Sequence, residues 1–258
     1  LRSPRTFSFR TLINLWEYAT WSILERYLHT FFDLIISVSE DDRQYLNRIC
    51  PPQAHFHLPT GFEFHDVSGE PELERMSNSL LFLGNYRHAP NIKAVDHFIQ
   101  EIWPRAKKLV PNLKIYLAGS FSENLSHHAD KEGVVITDYL PFDDPIFREV
   151  DIFVAPLREG AGIKGKVVDA MALGIPVIGY PEALSGLDCD SLVRVANPDE
   201  FATAISDLTK QPQQRRDLAA TAYAVAKEKY SNHSNVKALS QHLLKQCFAK
   251  TQQPRTPT

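Results

Sequence analysis

The sequence has no excess of charge of either sign, no cysteine framework and no apolar run of bilayer width. Its formal net charge is −3 over 258 residues, which supplies no basic surface and so gives no reason to expect nucleic acid as a partner. Cys50, Cys189 and Cys247 are odd in number, far apart and without metal-ligand spacing. They read as buried or free thiols of a reducing compartment. No stretch approaches the roughly 18 apolar residues of a membrane span, and no signal peptide stands at the front. The expected setting is therefore the cytoplasm or the inner face of the membrane. The first residue is Leu1, not methionine, which reads as a piece of a longer chain. What is present, 43% hydrophobic and 23% charged, is globular material enough for one large domain or two smaller ones.

Residues 9–29 carry Leu12, Leu15, Trp16, Ala19, Ile23 and Tyr27 at helical spacing. The β-rich run FDLIISVS follows, closed by Ser39 with Asp42 three residues on, a helix N-cap signature. HFHL (55–58) reads as a second strand before PTG. Two strands are too few to bury both faces of an α/β sheet. Residues 1–65 are therefore expected to be the remnant of an N-terminal domain together with the crossing out of it; the competing reading is a helical hairpin capping the next domain. A remnant would leave the opening helix, with Trp16 and Trp21, partly uncovered and suited to homo-oligomerisation or peripheral membrane contact.

From residue 80 the rhythm becomes regular. LLFLG, LKIYLAG, GVVIT, DIFVAPL, PVIGY and SLVRVA read as strands. Helical runs are expected over 91–109, 122–130, 143–149, 165–173, 198–210 and 213–230. Continuous apolar strands alternating with helices indicate an α/β doubly wound parallel sheet, here a nucleotide-binding domain over 66–232. A helix over 234–248 and a disordered polar tail, KTQQPRTPT, complete the segment 233–258.

Ligands of such sheets bind beyond the carboxyl ends of the strands. Three loops lie there: GNYRHAPN (84–91), AGSFSEN (118–124) and the start of APLREGAGIKGKVVDAMALGIPVIG (155–179). In the last, Gly160, Gly162 and Gly165 permit tight turns and close backbone approach to a ligand. The following helix start is an anion site, with Lys164 and Lys166 adding charge. Lys166 and Asp169, three residues apart, share one helix face, suiting a phosphate and a sugar hydroxyl respectively. The competing reading is a plain surface ion pair. Gly160, Gly165 and Lys166 also fit the triphosphatase pattern G-x-x-x-x-G-K, but Val167 stands where a magnesium-binding hydroxyl is needed. The helix is also cut short by Gly174 and Pro176, and no later strand ends in a suitable acid. No metal site is expected.

The run Lys166, Asp169, Ala170, Ala172, Gly174, Pro176, Val177, Ile178 resembles the nucleotide-sugar motif K-x-x-E-A-x-A-x-G-x-P-V-I of the glycosyltransferase group 1 proteins (family 4, GT-B fold). FLGNYRHAPNIKAVDHFIQEIWPRAKKLVPNLKIYLAG is similar to the first β-α-β unit of their C-terminal domain. FDLIISVSEDDRQYL and LPTGFE resemble the end of their N-terminal domain and the interdomain crossing, so the likeness spans about residues 31–248. The resemblance implies transfer of a sugar from a nucleoside diphosphate sugar to an acceptor hydroxyl, retaining and without metal or other cofactor. It further implies that Lys166, assisted by Lys164, and Arg87 hold the diphosphate, and that Asp169 binds the ribose. Gly84 and Arg87 stand on the first loop, while Glu159, Gly160 and Gly162 would line the sugar pocket; Arg87, Lys166 and Glu159 are the candidate catalytic residues. His88 reads as a helix-start or surface histidine. Asp169 is one methylene shorter than the family's glutamate, and Ala161 stands where the commoner motif has an acid, with Glu159 two residues earlier. The acceptor, whether carbohydrate, lipid or protein, is not encoded in these motifs. Acceptor binding belongs to the N-terminal domain, so this chain is expected to bind donor with little transfer. A nucleotide-sugar epimerase of the same architecture is the alternative enzyme, though no clear pair of general bases is offered; a non-catalytic nucleotide-binding module is the other.

Overall fold

A computed structural model of the chain describes residues 9–62, 78–141, 144–160 and 163–252. It divides into two compact units, Leu1–Pro59 and Thr60–Thr258. Phe62 belongs to the second unit: its N–H donates to the Tyr230 carbonyl (2.8 Å), and its carbonyl accepts from Asn232 (3.0 Å).

The first unit holds α1 (Phe9–Phe31), β1 (Ile35–Ser37), α2 (Glu40–Ile49) and β2 (His55–His57). Its two strands pair in parallel, Ile35 opposite His55. Ser39 caps α2 as its sequence indicates, accepting from the Asp42 N–H at 3.1 Å. Along α1 the large apolar side chains Leu12, Leu15, Trp16, Trp21 and Ile23 are exposed. Among the described residues no helix is long and apolar enough to cross a membrane.

The second unit is built on six parallel strands: β3 (Ser79–Leu83), β4 (Lys114–Ala118), β5 (Val134–Thr137), β6 (Ile152–Ala155), β7 (Val177–Gly179) and β8 (Val193–Arg194). Their order is β5-β4-β3-β6-β7-β8, a doubly wound arrangement whose direction of winding reverses between β3 and β6. Leu80 and Leu81 register with Ile152 and Phe153 across that junction. Leu80, Phe82, Ile115, Leu117, Phe153 and Ile178 are almost wholly buried, since both faces of such a sheet are covered. The helices are α3 (Ala89–His97), α4 (Trp103–Leu109), α5 (Ile146–Glu149), α6 (Gly165–Ala172), α7 (Pro198–Lys210), α8 (Pro212–Tyr230) and α9 (Asn232–Gln252).

Departures from the sequence expectation have local causes. The helix expected over 91–109 contains a π turn, Phe98–Ile102, in which the Trp103 N–H reaches back to Phe98. Pro104 follows, and widening the preceding turn accommodates a residue that lacks an N–H and crowds the turn before it. The run expected as a helix over 122–130 is a 3₁₀ segment, Ser122–His128. α5 is one turn long, with residues 142 and 143 outside those described. α9 runs through Gln252, so residues 250–252 of the expected disordered tail are helical; 253–258 lie outside the described residues.

A buried ion pair closes the amino end of the sheet. Asp151, just before β6, accepts N–H groups of Asn78 (2.7 Å) and Ser79 (3.4 Å) on one oxygen and pairs with Arg215 of α8 (3.0 Å) through the other. That leaves the carboxyl end open for a ligand.

Candidate functional site

A cleft of about 450 Å³ opens at the carboxyl ends of β3, β4 and β5, against α6. Gly84, Ser120, Tyr139, Lys166 and Asp169 are among its walls. It lies at the reversal point between β3 and β6, where this sheet order places ligands.

Its floor is two interlocked loops. The Gly84 N–H donates to Ala118 (3.0 Å), and the Tyr86 N–H to Ser120 (2.9 Å). The Tyr86 hydroxyl also donates to Ala118 (3.2 Å) from a fully buried ring. Neither glycine at this crossing tolerates a side chain. A Cβ on Gly84 would stand 2.8 Å from the Tyr86 ring, and one on Gly119, whose φ is +145°, 1.7 Å from the Gly84 carbonyl oxygen.

The wall is α6, whose N-cap, Lys164, offers no capping side-chain bond. The N–H groups of Gly165 and Lys166 belong to the first turn, which has no intrahelical acceptor. Lys166 donates to Asn91 Oδ1 (2.6 Å) and lies 4.7 Å from the Phe82 ring centroid. Burial, with Lys164 nearby, lowers its ammonium to about 8. Asp169, one turn along, is raised by burial to about 6. Among the described residues no ion pair joins the two. The surface-pair reading of this i, i+3 couple therefore fails: mutual pairing would move each toward its charged form, and both move the other way.

The structure brings Gly84, Lys166 and Asp169 together and sets other candidates apart. Gly160, at φ +106°, makes the tight turn expected of it, and Lys164 Nζ folds back onto the Gly160 carbonyl (2.9 Å). Gly165 is not needed for its conformation: a Cβ there would meet the Phe62 ring at an ordinary 3.6 Å. Gly162 and Ala161 lie outside the described residues. Arg87 stacks its guanidinium 3.9 Å from the centroid of Phe121 and is exposed, outside the cleft lining. Its N–H is held by Asn85 Oδ1 (3.0 Å). Glu159 is paired at 2.8 Å with Lys93 of α3 and borders a separate hollow of about 370 Å³ with His97 and Arg158. His88 occupies the N-cap position of α3, as read from the sequence.

Asn91 was missed. It anchors Lys166 through Oδ1 and bonds the Asn85 carbonyl through Nδ2 (2.8 Å), so it links the β3 loop to α6. Its only sequence signal is its place in the first turn after His88-Ala89-Pro90. Tyr139 and Leu140, beyond β5, were missed as well, for the loop after GVVIT opens on Asp138 and carries no glycine and no basic residue.

Comparison with known proteins agrees with this geometry. A curated relative, an uncharacterized 44.6 kDa protein in the cps region of Klebsiella pneumoniae, is 21% identical over 237 residues, covering 87% of this chain and 59% of its own length. Among solved structures, S. aureus TarM, in a mutant form in complex with Fondaparinux, alpha-GlcNAc-glycerol and UDP, superposes with a TM-score of 0.68 at 14% identity. That superposition covers 87% of this chain and 46% of TarM. Anabaena HepE in complex with UDP and glucose gives 0.64 at 12% identity, over 87% of this chain and 66% of HepE. The chain thus spans about half to two thirds of the length of the proteins it matches, and the structural likenesses establish its fold. The glycosyl transferases group 1 family matches residues 77–211, the stretch that carries the whole cleft, and this agreement over just more than half of the 258 residues shows that the chain belongs to that family.

Proposed function

We propose that the second unit binds a nucleoside diphosphate sugar in the cleft above β3 and β4. Lys166 and the first N–H groups of α6 take the diphosphate, Asp169 the ribose hydroxyls, and Arg87 is a second cation that swings off Phe121. The observation that carries this reading is the pair Lys166 and Asp169, two charged groups facing one cleft with no ion pair between them. A bound donor supplies what each lacks: anionic oxygens for the ammonium, hydroxyl donors for the carboxylate. Uridine is the favoured base, because TarM and HepE are both described in complex with UDP.

In the transfer itself, negative charge builds on the leaving diphosphate as the bond to the sugar's anomeric carbon breaks. Ammonium and helix N–H groups already aimed at those oxygens stabilise the charge where it develops, an effect worth several kcal/mol. Val167 offers no hydroxyl for magnesium, so the cations that serve the diphosphate are side chains. The acceptor hydroxyl attacks on the face from which the diphosphate leaves, with retention. Acceptor recognition belongs to the N-terminal domain, and the 258-residue chain binds donor with little turnover.

Calorimetric titration of the chain with UDP, GDP and ADP, with and without magnesium, tests this. The expected result is UDP binding that ignores magnesium and is lost in Lys166→Ala. Nucleotide binding that requires magnesium, or UDP binding unchanged in Lys166→Ala, would overturn the assignment.

A further inference from the structure

His127 and His128 end the 3₁₀ segment, and Asp96 of α3 faces them. None of the three lines the diphosphate cleft. His127 Nε2 lies 3.0 Å and His128 Nε2 2.7 Å from one and the same oxygen, Asp96 Oδ1. The three ligand atoms fall within 4.8 Å of one another, and the two imidazole centroids are 4.0 Å apart. The His128 side chain is 5% exposed, Asp96 33% and His127 53%, so the group has one buried wall and one open side.

As plain hydrogen bonding this arrangement is ordinary, since one carboxylate oxygen accepts two N–H groups, but it also gathers two imidazole nitrogens and a carboxylate oxygen within ligand reach of one another. A cation among the three atoms replaces both contacts with lone-pair bonds. Ligand atoms about 2.0–2.1 Å from a divalent ion stand roughly 3.0–3.4 Å from their neighbours. Both histidine nitrogens already lie 3.0 Å or less from Asp96 Oδ1, and the wider separation, within 4.8 Å, closes by rotation of the exposed His127 ring. Two imidazoles with one carboxylate suit zinc and its neighbours, and not magnesium, which keeps an oxygen shell.

We propose that Asp96, His127 and His128 form a binding site for a divalent transition-metal ion of the zinc type, its open side completed by water. Both histidines bind as neutral rings through Nε2 with the proton on Nδ1. The ion's position indicates what it does. α3 carries Asn91, which holds Lys166, and the 3₁₀ segment carries Asn124, whose Nδ2 donates to the Tyr86 carbonyl (3.0 Å). An ion across Asp96 and the histidines clamps these two segments and stiffens the cleft floor without touching the donor. It is independent of the metal-free diphosphate chemistry proposed above.

The test uses the 258-residue chain, stripped with chelator and titrated with zinc(II) alone by calorimetry, with cobalt(II) by visible absorption and with magnesium as control. Expected are about one equivalent of zinc bound at micromolar or tighter affinity, a rise of several degrees in Tm, cobalt bands, and no response to magnesium. His127→Ala and Asp96→Asn should each weaken zinc binding at least about tenfold and abolish the cobalt bands. His57→Ala, remote in sequence and paired with Ser37, should leave both intact. His127 is exposed, so its replacement keeps the fold, checked by an unchanged metal-free Tm. Zinc affinity and cobalt bands retained in both variants would overturn the proposal. So would a native chain that binds zinc no tighter than about 100 μM.

Discussion

The ammonium of Lys166 carries the donor reading, and its titration can be read directly from affinity. Burial and the neighbouring Lys164 hold it near 8 in the free cleft, so about nine-tenths is protonated at pH 7 and about one-tenth at pH 9. Only the protonated form attracts diphosphate oxygens strongly, and the bound anion pulls the group back toward its ordinary value of 10.5. Affinity should therefore fall roughly tenfold between pH 7 and pH 9, about 1.4 kcal/mol, and keep falling until the bound group also titrates. A nucleotide sugar such as UDP-glucose is the proper probe, because its diphosphate carries no proton in that range. Calorimetry or fluorescence titration at half-unit steps gives the profile. Two variants assign the limb. Lys166→Arg, charged throughout, should abolish the alkaline fall. Lys164→Ala should displace the fall to higher pH, since the charge that helps depress Lys166 is gone. A native profile flat from pH 7 to 9.5, or a fall unchanged in Lys166→Arg, would refute the placement of diphosphate at this lysine.

Other outcomes follow from the same physics. Asp169→Asn should weaken nucleotide binding yet stabilise the unliganded chain by on the order of 3 kcal/mol at pH 7. Its carboxyl is raised from 3.8 to about 6, so the penalty for holding it ionised is full above pH 6 and gone below 3.8; urea unfolding at pH 7 and pH 4 shows the difference. Arg215→Ala strands the buried Asp151 carboxylate and should cost about 3–5 kcal/mol. Lys93→Ala breaks a pair whose side chains are 63% and 53% exposed and should cost under about 1 kcal/mol by the same assay. Gly119→Ala forces a Cβ onto the Gly84 carbonyl; it should cost about 3 kcal/mol or more and abolish UDP binding, whereas Gly165→Ala should fold normally.

The sheet was legible because its strands are unbroken apolar runs, LLFLG and DIFVAPL above all, and only a sheet covered on both faces buries such runs. The winding order was not written anywhere in those runs, yet it is what puts the β3 loop beside α6. Lys166 and Asp169 could be placed on one face from their spacing alone. Lys164 could not be placed, because its long side chain turns back to Gly160, a choice made by the loop and not by residue type. Glu159 has the same history: its sequence position suggested a sugar pocket, and a lysine four residues into α3, at position 93, takes its carboxylate. Asn91 was overlooked because a neutral amide in a helix's first turn is a common capping element, and only the fold reveals the ammonium above it. The 3₁₀ segment shows the limit of periodicity, since seven residues make only about two turns of either helix, too few repeats to tell three from 3.6 residues per turn.

Two ways of burying charge coexist at opposite ends of this sheet, and the contrast is the strongest physical pointer to function. At the amino end, Asp151 has two backbone N–H groups on one oxygen and a guanidinium 3.0 Å from the other, so its charge is paired within the protein. At the carboxyl end, Lys166 has one neutral amide oxygen and Asp169 has no ion pair among the described residues. Burial is costly at both ends, and a sequence shaped for stability alone would have finished both in the same way. An unanswered ammonium and carboxylate on consecutive turns of one helix persist where an outside ligand completes them. The proposed nucleoside diphosphate would fit both at once, because its anionic oxygens and its ribose hydroxyls are separated by the few bonds that a single helical turn can span.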